Sequence, residues 1–321
     1  LTLTELLAPI QDDMARVDGV IRSRLASTVP LIQTVGDYII AGGGKRMRPA
    51  LLLMTAAALG GRGGNVHLLA AVVEFIHTAT LLHDDVVDES GLRRGRQTAN
   101  AVFGNATSVL VGDFLYSRAF QMMVEPGDAR IMQILADATN VIAEGEVLQL
   151  LNVGDTSVTE ERYLQVVRYK TARLFEAAAE LGAVVAGADA ARCAEAAAYG
   201  RHIGTAFQLV DDVLDYDGNA EELGKNLGDD LREGKPTLPL LRVLQVGSDQ
   251  QQALVRSVIE QGGGDLDAVV AAIRATDALD YTRERARQEA VLALEAIAAW
   301  PASSYQQSLL NFCSFALNRR A

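Results

Sequence analysis

The chain has 321 residues, 29 Lys+Arg against 41 Asp+Glu for a formal net charge of −12, and it is 49% apolar with only 5% aromatic residues. That much apolar material can close a sizeable core, which excludes global disorder. The acidity excludes a dedicated nucleic-acid binder, which needs a basic face.

Read in chain order, the first residues, Leu1 to Leu7 with Glu5 among them, lack the basic start and long apolar stretch of a signal peptide. The longest apolar run, Ala50–Leu59, is about half of a membrane span. Cys193 and Cys313 are too few for a disulfide framework and read as small buried residues in a reducing compartment, which places the chain in the cytoplasm. Residues 50–125 and 127–235 contain no proline, and both stretches repeat apolar residues at three- and four-residue intervals. Val72, Ile76, Ala79 and His83 form one helical stripe, and Leu164, Val167, Leu174 and Ala178 form another. Breaks are expected at Gly42–Gly44, Gly60–Gly64, Ser90-Gly91, Pro126-Gly127, Gly154-Asp155, Gly218-Asn219 and Gly262–Gly264. Alternating strand patterns of useful length are missing. Length alone allows about two domains, but no linker or composition shift divides the chain, so one all-α domain over residues 1–321 is expected.

The residue types that carry chemistry fall at the ends of these helices. In Gly42-Gly43-Gly44-Lys45-Arg46-Met47-Arg48-Pro49, three cations stand beside flexible backbone just before an apolar helix at Ala50. Pro49 occupies a first helical position there, where free N–H groups suit an anion. Standing alone, this would be a helix-start loop with solvated charges. His77 follows, then Asp84-Asp85-Val86-Val87-Asp88 and Arg93-Arg94-Gly95-Arg96. Lys170-Thr171 lies on a central helix, and Asp211-Asp212-Val213-Leu214-Asp215 repeats the acidic pattern. Lys225 and Lys235 frame the last segment, Gly224–Pro236.

The doubled DDxxD decides between chemistries. Positions i and i+4 share a helix face, so Asp84 stands with Asp88 and Asp211 with Asp215. Each motif follows an apolar run, Ala79–Leu82 or Ala206–Val210, so neither sits on a solvated charged face. Carboxylates crowded at a helix's C-terminal half repel one another and the dipole there, and divalent cations resolve the conflict. Mg²⁺ favours a few carboxylates plus phosphate oxygens and water. One copy would read as an exposed acidic patch; two copies in apolar settings favour metal. His77 lies about two turns before the acidic face, and Gln208 precedes Asp211 and Asp215 by three and seven residues. Walker A and GxGxxG loops are absent.

At these residues the chain resembles the trans-polyprenyl diphosphate synthases, in their long-chain octaprenyl and decaprenyl branch. The resemblance runs from Ile39 to Pro239, and more weakly to the C-terminus. It rests on GGGKRMRP, on HTATLLHDDVVDESGLRRGRQTAN from His77, on YKTARLF from Tyr169, on FQLVDDVLDY from Phe207 and on GKNLGDDLREGKPTLP from Gly224. It implies a helical bundle around a central apolar cavity, a homodimer, and condensation of isopentenyl diphosphate with an allylic diphosphate. It implies three Mg²⁺ held by Asp84, Asp85, Asp88, Asp211 and Asp215, with Asp212 supporting the second cluster. Lys45, Arg48, His77 and Arg94 would take the isopentenyl diphosphate. Arg93, Lys170, Thr171, Gln208, Lys225 and Lys235 would take the allylic diphosphate or its leaving group. The residue five before the first Asp acts as a floor for the growing chain; with Ala79 there, Thr80 beside it and Ile76 a turn earlier, the path is open. Products of about eight to ten isoprene units follow from the resemblance, one helical turn being about 5.4 Å, close to one unit. Arg319 and Arg320 receive no role.

Three other readings compete. A class I terpene cyclase would ionise a diphosphate without a second diphosphate pocket, against Lys45, Arg48 and Arg94. A non-catalytic regulatory subunit would commonly have lost acidic-motif residues, whereas both motifs are intact. A purely structural helical protein would show no stabilisation by Mg²⁺ or diphosphate.

Overall fold

A computed structural model describes residues 2–61, 63–93, 95–217 and 228–319. Helices α1 (Leu3–Leu7), α2 (Gln11–Leu25), α3 (Pro30–Ala41), α4 (Met47–Ala58) and α5 (Val66–Val87) open the chain. A two-stranded antiparallel hairpin, β1 (Leu92–Arg93) and β2 (Arg96–Gln97), pairs Leu92 with Gln97 and Arg93 with Arg96. Then come α6 (Ala99–Phe103), α7 (Asn105–Val124), α8 (Ala129–Asn152) and α9 (Glu160–Val166), which runs into a π-helical turn, Val167–Ala172. Helices α10 (Arg173–Val185), α11 (Ala190–Asp217), α12 (Asp229–Arg232), α13 (Leu238–Val246), α14 (Asp249–Gln261), α15 (Leu266–Ala275), α16 (Ala278–Ala296) and α17 (Ser304–Asn318) complete it. The expected all-α architecture is what the chain adopts, with the hairpin as its one described sheet.

Helix α5 runs through the core. Its residues Val66, Leu69 to Val73, Phe75, Ile76, Ala79 and Leu82 are buried on several faces, the pattern of a helix surrounded by protein. By length and composition alone α5 could cross a membrane, yet 61% of that apolar window is buried within the molecule. It packs on α2, α4 and α7, while α10 and α11 pack on one another and α16 closes the far side of α11. Both helices that bear the acidic motifs contact α10, and α5 also contacts α4. A second apolar cluster gathers α13, α14 and α15 around the end of α11 through Val213 and Tyr216.

Two local readings change. Helix α4 begins at Met47 rather than at Pro49, with Arg46 as its N-cap in the left-handed region at φ 49°. Pro49 is tolerated because the first turn has no intrahelical acceptors for its N–H groups to lose. The stripe Leu164, Val167, Leu174, Ala178 is buried throughout, but it crosses the π turn and belongs to two helical phases. The expected breaks fall between helices wherever residues are described, a further one separates α10 from α11 at residues 186–189, and Gly218-Asn219 lies outside the described residues.

Candidate active site

The first acidic motif closes the C-terminal end of α5, where Asp88 is the cap. Asp84 and Asp88 share a face, and each meets a lysine. Lys170 Nζ lies 3.5 Å from Asp84 Oδ2 and 2.6 Å from Glu146 Oε2 of α8. Lys235 Nζ lies 2.9 Å from Asp88 Oδ2 and 2.5 Å from Glu233 Oε2. Turned with its amide oxygen inward, Gln149 of α8 accepts from both ammonium groups at 3.3 Å. Asp85 points elsewhere. It is 4% exposed, its Oδ1 accepts from Arg93 Nε at 2.8 Å and Nη2 at 2.6 Å, and burial pushes its carboxyl up against the pull of that guanidinium. The structure turns Asp85 and Arg93 toward each other at the foot of the hairpin; the resemblance implies metal for Asp85 and a diphosphate for Arg93.

Lys170 and Thr171 reach the site from the π turn, whose Arg173 N–H donates to Arg168 C=O, one residue further back than in an α-helix. Thr159 caps α9 by accepting from Arg162 N–H, and Glu160 and Glu161 favour its start. The turn is then clamped on two sides. A Cβ on Gly145 of α8 would stand 2.6 Å from Lys170 N, and one on Gly204 of α11 would stand 2.7 Å from Ala172 Cα. Only glycine lets both helices come that close.

The second motif lies near the end of α11. Asp212 is 1% exposed; Tyr163 O–H donates to its Oδ2 and Gln208 Nε2 to its Oδ1 at 2.9 Å. Gln208 Oε1 in turn accepts from Thr171 at 3.0 Å, so the π turn touches the first motif through Lys170 and is linked to the second through Thr171 and Gln208. Asp215 is buried, and its Oδ2 accepts from Asp230 N–H at 3.2 Å. Asp211 meets Arg319, whose Nη1 donates to Oδ1 at 2.8 Å while Nη2 donates to Phe207 C=O at 2.5 Å. The Arg319 side chain is 4% exposed and lies over the Phe207 ring at 3.6 Å.

Away from the acids, Arg48 Nη1 donates to His77 Nε2 at 3.1 Å and stacks on Phe175 at 4.4 Å. This joins the glycine-rich segment to α5, and Lys45 stands in the connection before α4. Arg46 faces the other way, pairing with the buried Glu74 at 2.5 Å. Ile76 and Ala79 are fully buried on α5, and Thr80 donates to His77 C=O. Arg94 and Lys225 lie outside the described residues.

Crowding of carboxylates near partly desolvated lysines perturbs both. Burial alone would lower Lys170, but Asp84 and Glu146 more than offset it; Lys235 is likewise raised by Asp88 and Glu233 against burial. Burial pushes Glu146 from 4.5 to about 7 against the pull of Lys170. A carboxyl raised by folding favours the folded state below its unfolded pKa, and this contribution is lost as pH rises through the folded value. Metal-free protein should therefore lose stability between pH 4.5 and about 7. Thermal melts in chelator should show a smaller fall for Glu146→Gln across this window, and equal falls would remove Glu146 as the cause.

Glu146, Gln149, Tyr163, Asp230, Glu233 and Arg319 were not singled out from sequence. Asp230 and Glu233 lie in the flagged Gly224–Pro236 segment, and the others gave no spacing signal. Among the described residues, no three His, Cys, Asp or Glu side chains converge to hold an ion unaided. The donor set fits Mg²⁺: Asp84, Asp88 and Asp211 each already hold a protein cation, so positive charge is what these positions demand.

A family model described as polyprenyl synthetase matches residues 29–276. The octaprenyl diphosphate synthase of Escherichia coli (strain K12) is 52% identical over 310 residues, 96% of each chain. Among solved structures, a Caulobacter crescentus CB15 polyprenyl synthase complexed with calcium and isoprenyl diphosphate superimposes with TM-score 0.96 at 44% identity, covering 100% of this chain and 98% of that one. A decaprenyl diphosphate synthase from Rhodobacter capsulatus gives 0.93 at 43% identity, with both chains wholly covered.

Proposed function

The chain belongs to the polyprenyl synthetase family and is a long-chain trans-prenyltransferase; from that premise we propose how its residues divide the work. Asp84 and Asp88 on one side, and Asp211 and Asp215 on the other, would hold Mg²⁺, three ions with substrate bound. Asp85 secures the hairpin through Arg93. The observation that carries this reading is the π turn, which sets Lys170 against the first motif and links Thr171 to the second through Gln208. An allylic diphosphate placed between the motifs meets cations on both sides.

Bound Mg²⁺ supplies compensation for the charge that grows on the departing diphosphate. Lys170 and Lys235, already seated among carboxylates, present ammonium groups to the same charge at no further reorganisation. Arg48 and His77, with Lys45, bind the diphosphate of isopentenyl diphosphate, whose double bond attacks the allylic cation. Loss of a proton then restores an allylic chain. The apolar residues of α5 keep water, which would quench the cation, from the growing tail. Incubation with labelled isopentenyl diphosphate, an allylic starter and Mg²⁺, followed by product sizing, tests this; hydrocarbon or alcohol without isopentenyl diphosphate consumption would overturn it.

For length we favour eight isoprene units, because the 52% identical relatives are octaprenyl diphosphate synthases. The small Ala79 offers no floor on the buried face of α5. Ala79→Tyr should shorten the product while the first condensation continues, read by sizing; an unchanged distribution in an active variant would show that the chain grows elsewhere. Leu110, Phe120 and Val124 of α7 and Val147, Leu150 and Leu151 of α8 are exposed apolar side chains. These support a homodimer joined across α7 and α8, which light scattering at the monomer mass of 34.3 kDa would contradict. The two free buried cysteines fit a cytoplasmic enzyme.

A further inference from the structure

Tyr163 is 7% exposed and lies among Val158, Leu164, Val167, Leu209 and Leu238. A phenylalanine would fill that space equally well, yet the residue brings a hydroxyl into an apolar cluster and spends it on Asp212. Asp212, itself 1% exposed, has its other oxygen on Gln208. Both its oxygens are therefore taken by protein donors, whereas the Asp211 side chain is 38% exposed. A buried carboxylate needs such donors, and a missing one leaves an expensive unsatisfied group.

We propose that Tyr163 is a positioning residue for the second acidic motif: its phenol pins Asp212 and so fixes the rotation of the last turns of α11. Asp211 precedes Asp212 directly, and Asp215 follows it by three residues. A rotation that released Asp212 would swing both away from the face they share. Through Gln208 and Thr171 the same chain of hydrogen bonds ties that rotation to the turn that bears Lys170. Tyr163 thus sets the separation of the two acidic motifs without touching substrate.

This rests on the proposed roles of Asp211 and Asp215, and wild-type turnover in the same assay tests those separately. Tyr163→Phe should lower kcat by about 10-fold or more and raise the Mg²⁺ concentration for half-maximal activity by a similar factor, the range for groups that orient metal ligands. KM for isopentenyl diphosphate should stay within about twofold, since Arg48 and His77 are carried by α4 and α5 and not by α11. Asp212→Asn, which keeps the phenol and the volume, should reproduce the kcat loss, and adding Tyr163→Phe to it should cost little more. The proposal is overturned if active wild type is matched by a Tyr163→Phe enzyme with unchanged kcat. A lowered Tm with an unmoved Mg²⁺ midpoint, or an equal loss in both backgrounds, would overturn it too, as either describes packing alone.

Discussion

Replacing Asp84 or Asp211 by alanine is expected to reduce kcat by about 100-fold or more, the scale seen when one electrostatic contact to a developing charge is removed. The two changes act on opposite sides of the site. Without Asp84, Lys170 keeps Glu146 as a partner and stays in place, so the loss reads on the carboxylate and not on the lysine. Without Asp211, Arg319 keeps the Phe207 carbonyl and ring. Helix packing should survive in both, because neither side chain belongs to the apolar core. Chelation should abolish turnover of the wild type and added Mg²⁺ restore it. Near-normal kcat in both variants at saturating Mg²⁺ would rule out a mechanism that uses both motifs.

Lys235→Ala should produce the second large loss, also about 100-fold in kcat, with little change in KM. Its ammonium stands between Asp88 and Glu233, and its removal leaves two partly buried carboxylates facing each other with no counter-charge between them. Metal-free Lys235→Ala should therefore melt below the wild type, and Mg²⁺ should recover part of the difference. Arg48→Ala makes the contrast. Arg48 donates to His77 and stacks on Phe175, so its loss should raise KM for isopentenyl diphosphate and spare kcat. An unchanged KM in Arg48→Ala would break the assignment of that pocket, and a normal kcat in Lys235→Ala the assignment of the leaving-group cradle.

The helices and both acidic motifs are legible in the sequence because the signals are local. Asp84 and Asp88, or Asp211 and Asp215, announce a shared face by spacing alone, and the apolar runs before them announce burial. Partners brought together by packing are not legible in this way. Lys235 is 147 residues from Asp88, Arg319 is 108 from Asp211, and Tyr163 is 49 from Asp212. Asp85 shows the same limit: one step along a helix turns a side chain by about 100°, and the partner that this step reaches, Arg93, is set by the hairpin and not by the motif's spacing. Arg46 is likewise placed by packing, its left-handed backbone capping α4 and its guanidinium pairing with Glu74.

The π turn gives the rod formed by α9 and α10 two angular phases. Residues before it are offset from those after it by the extra residue it holds, about 100° of azimuth on an ideal helix. With a uniform α-helical pitch, the azimuth that buries Leu174 and Ala178 would fix where Tyr163 points, and one rod could not address both neighbours independently. The offset uncouples the two ends: the downstream half is free to match the hydrophobic layer, and the upstream half to aim a phenol at α11. Between them, Lys170 meets Asp84 of the first motif while Thr171 reaches Gln208, one turn before the second. The active site thereby acquires a second bearing from a single continuous segment.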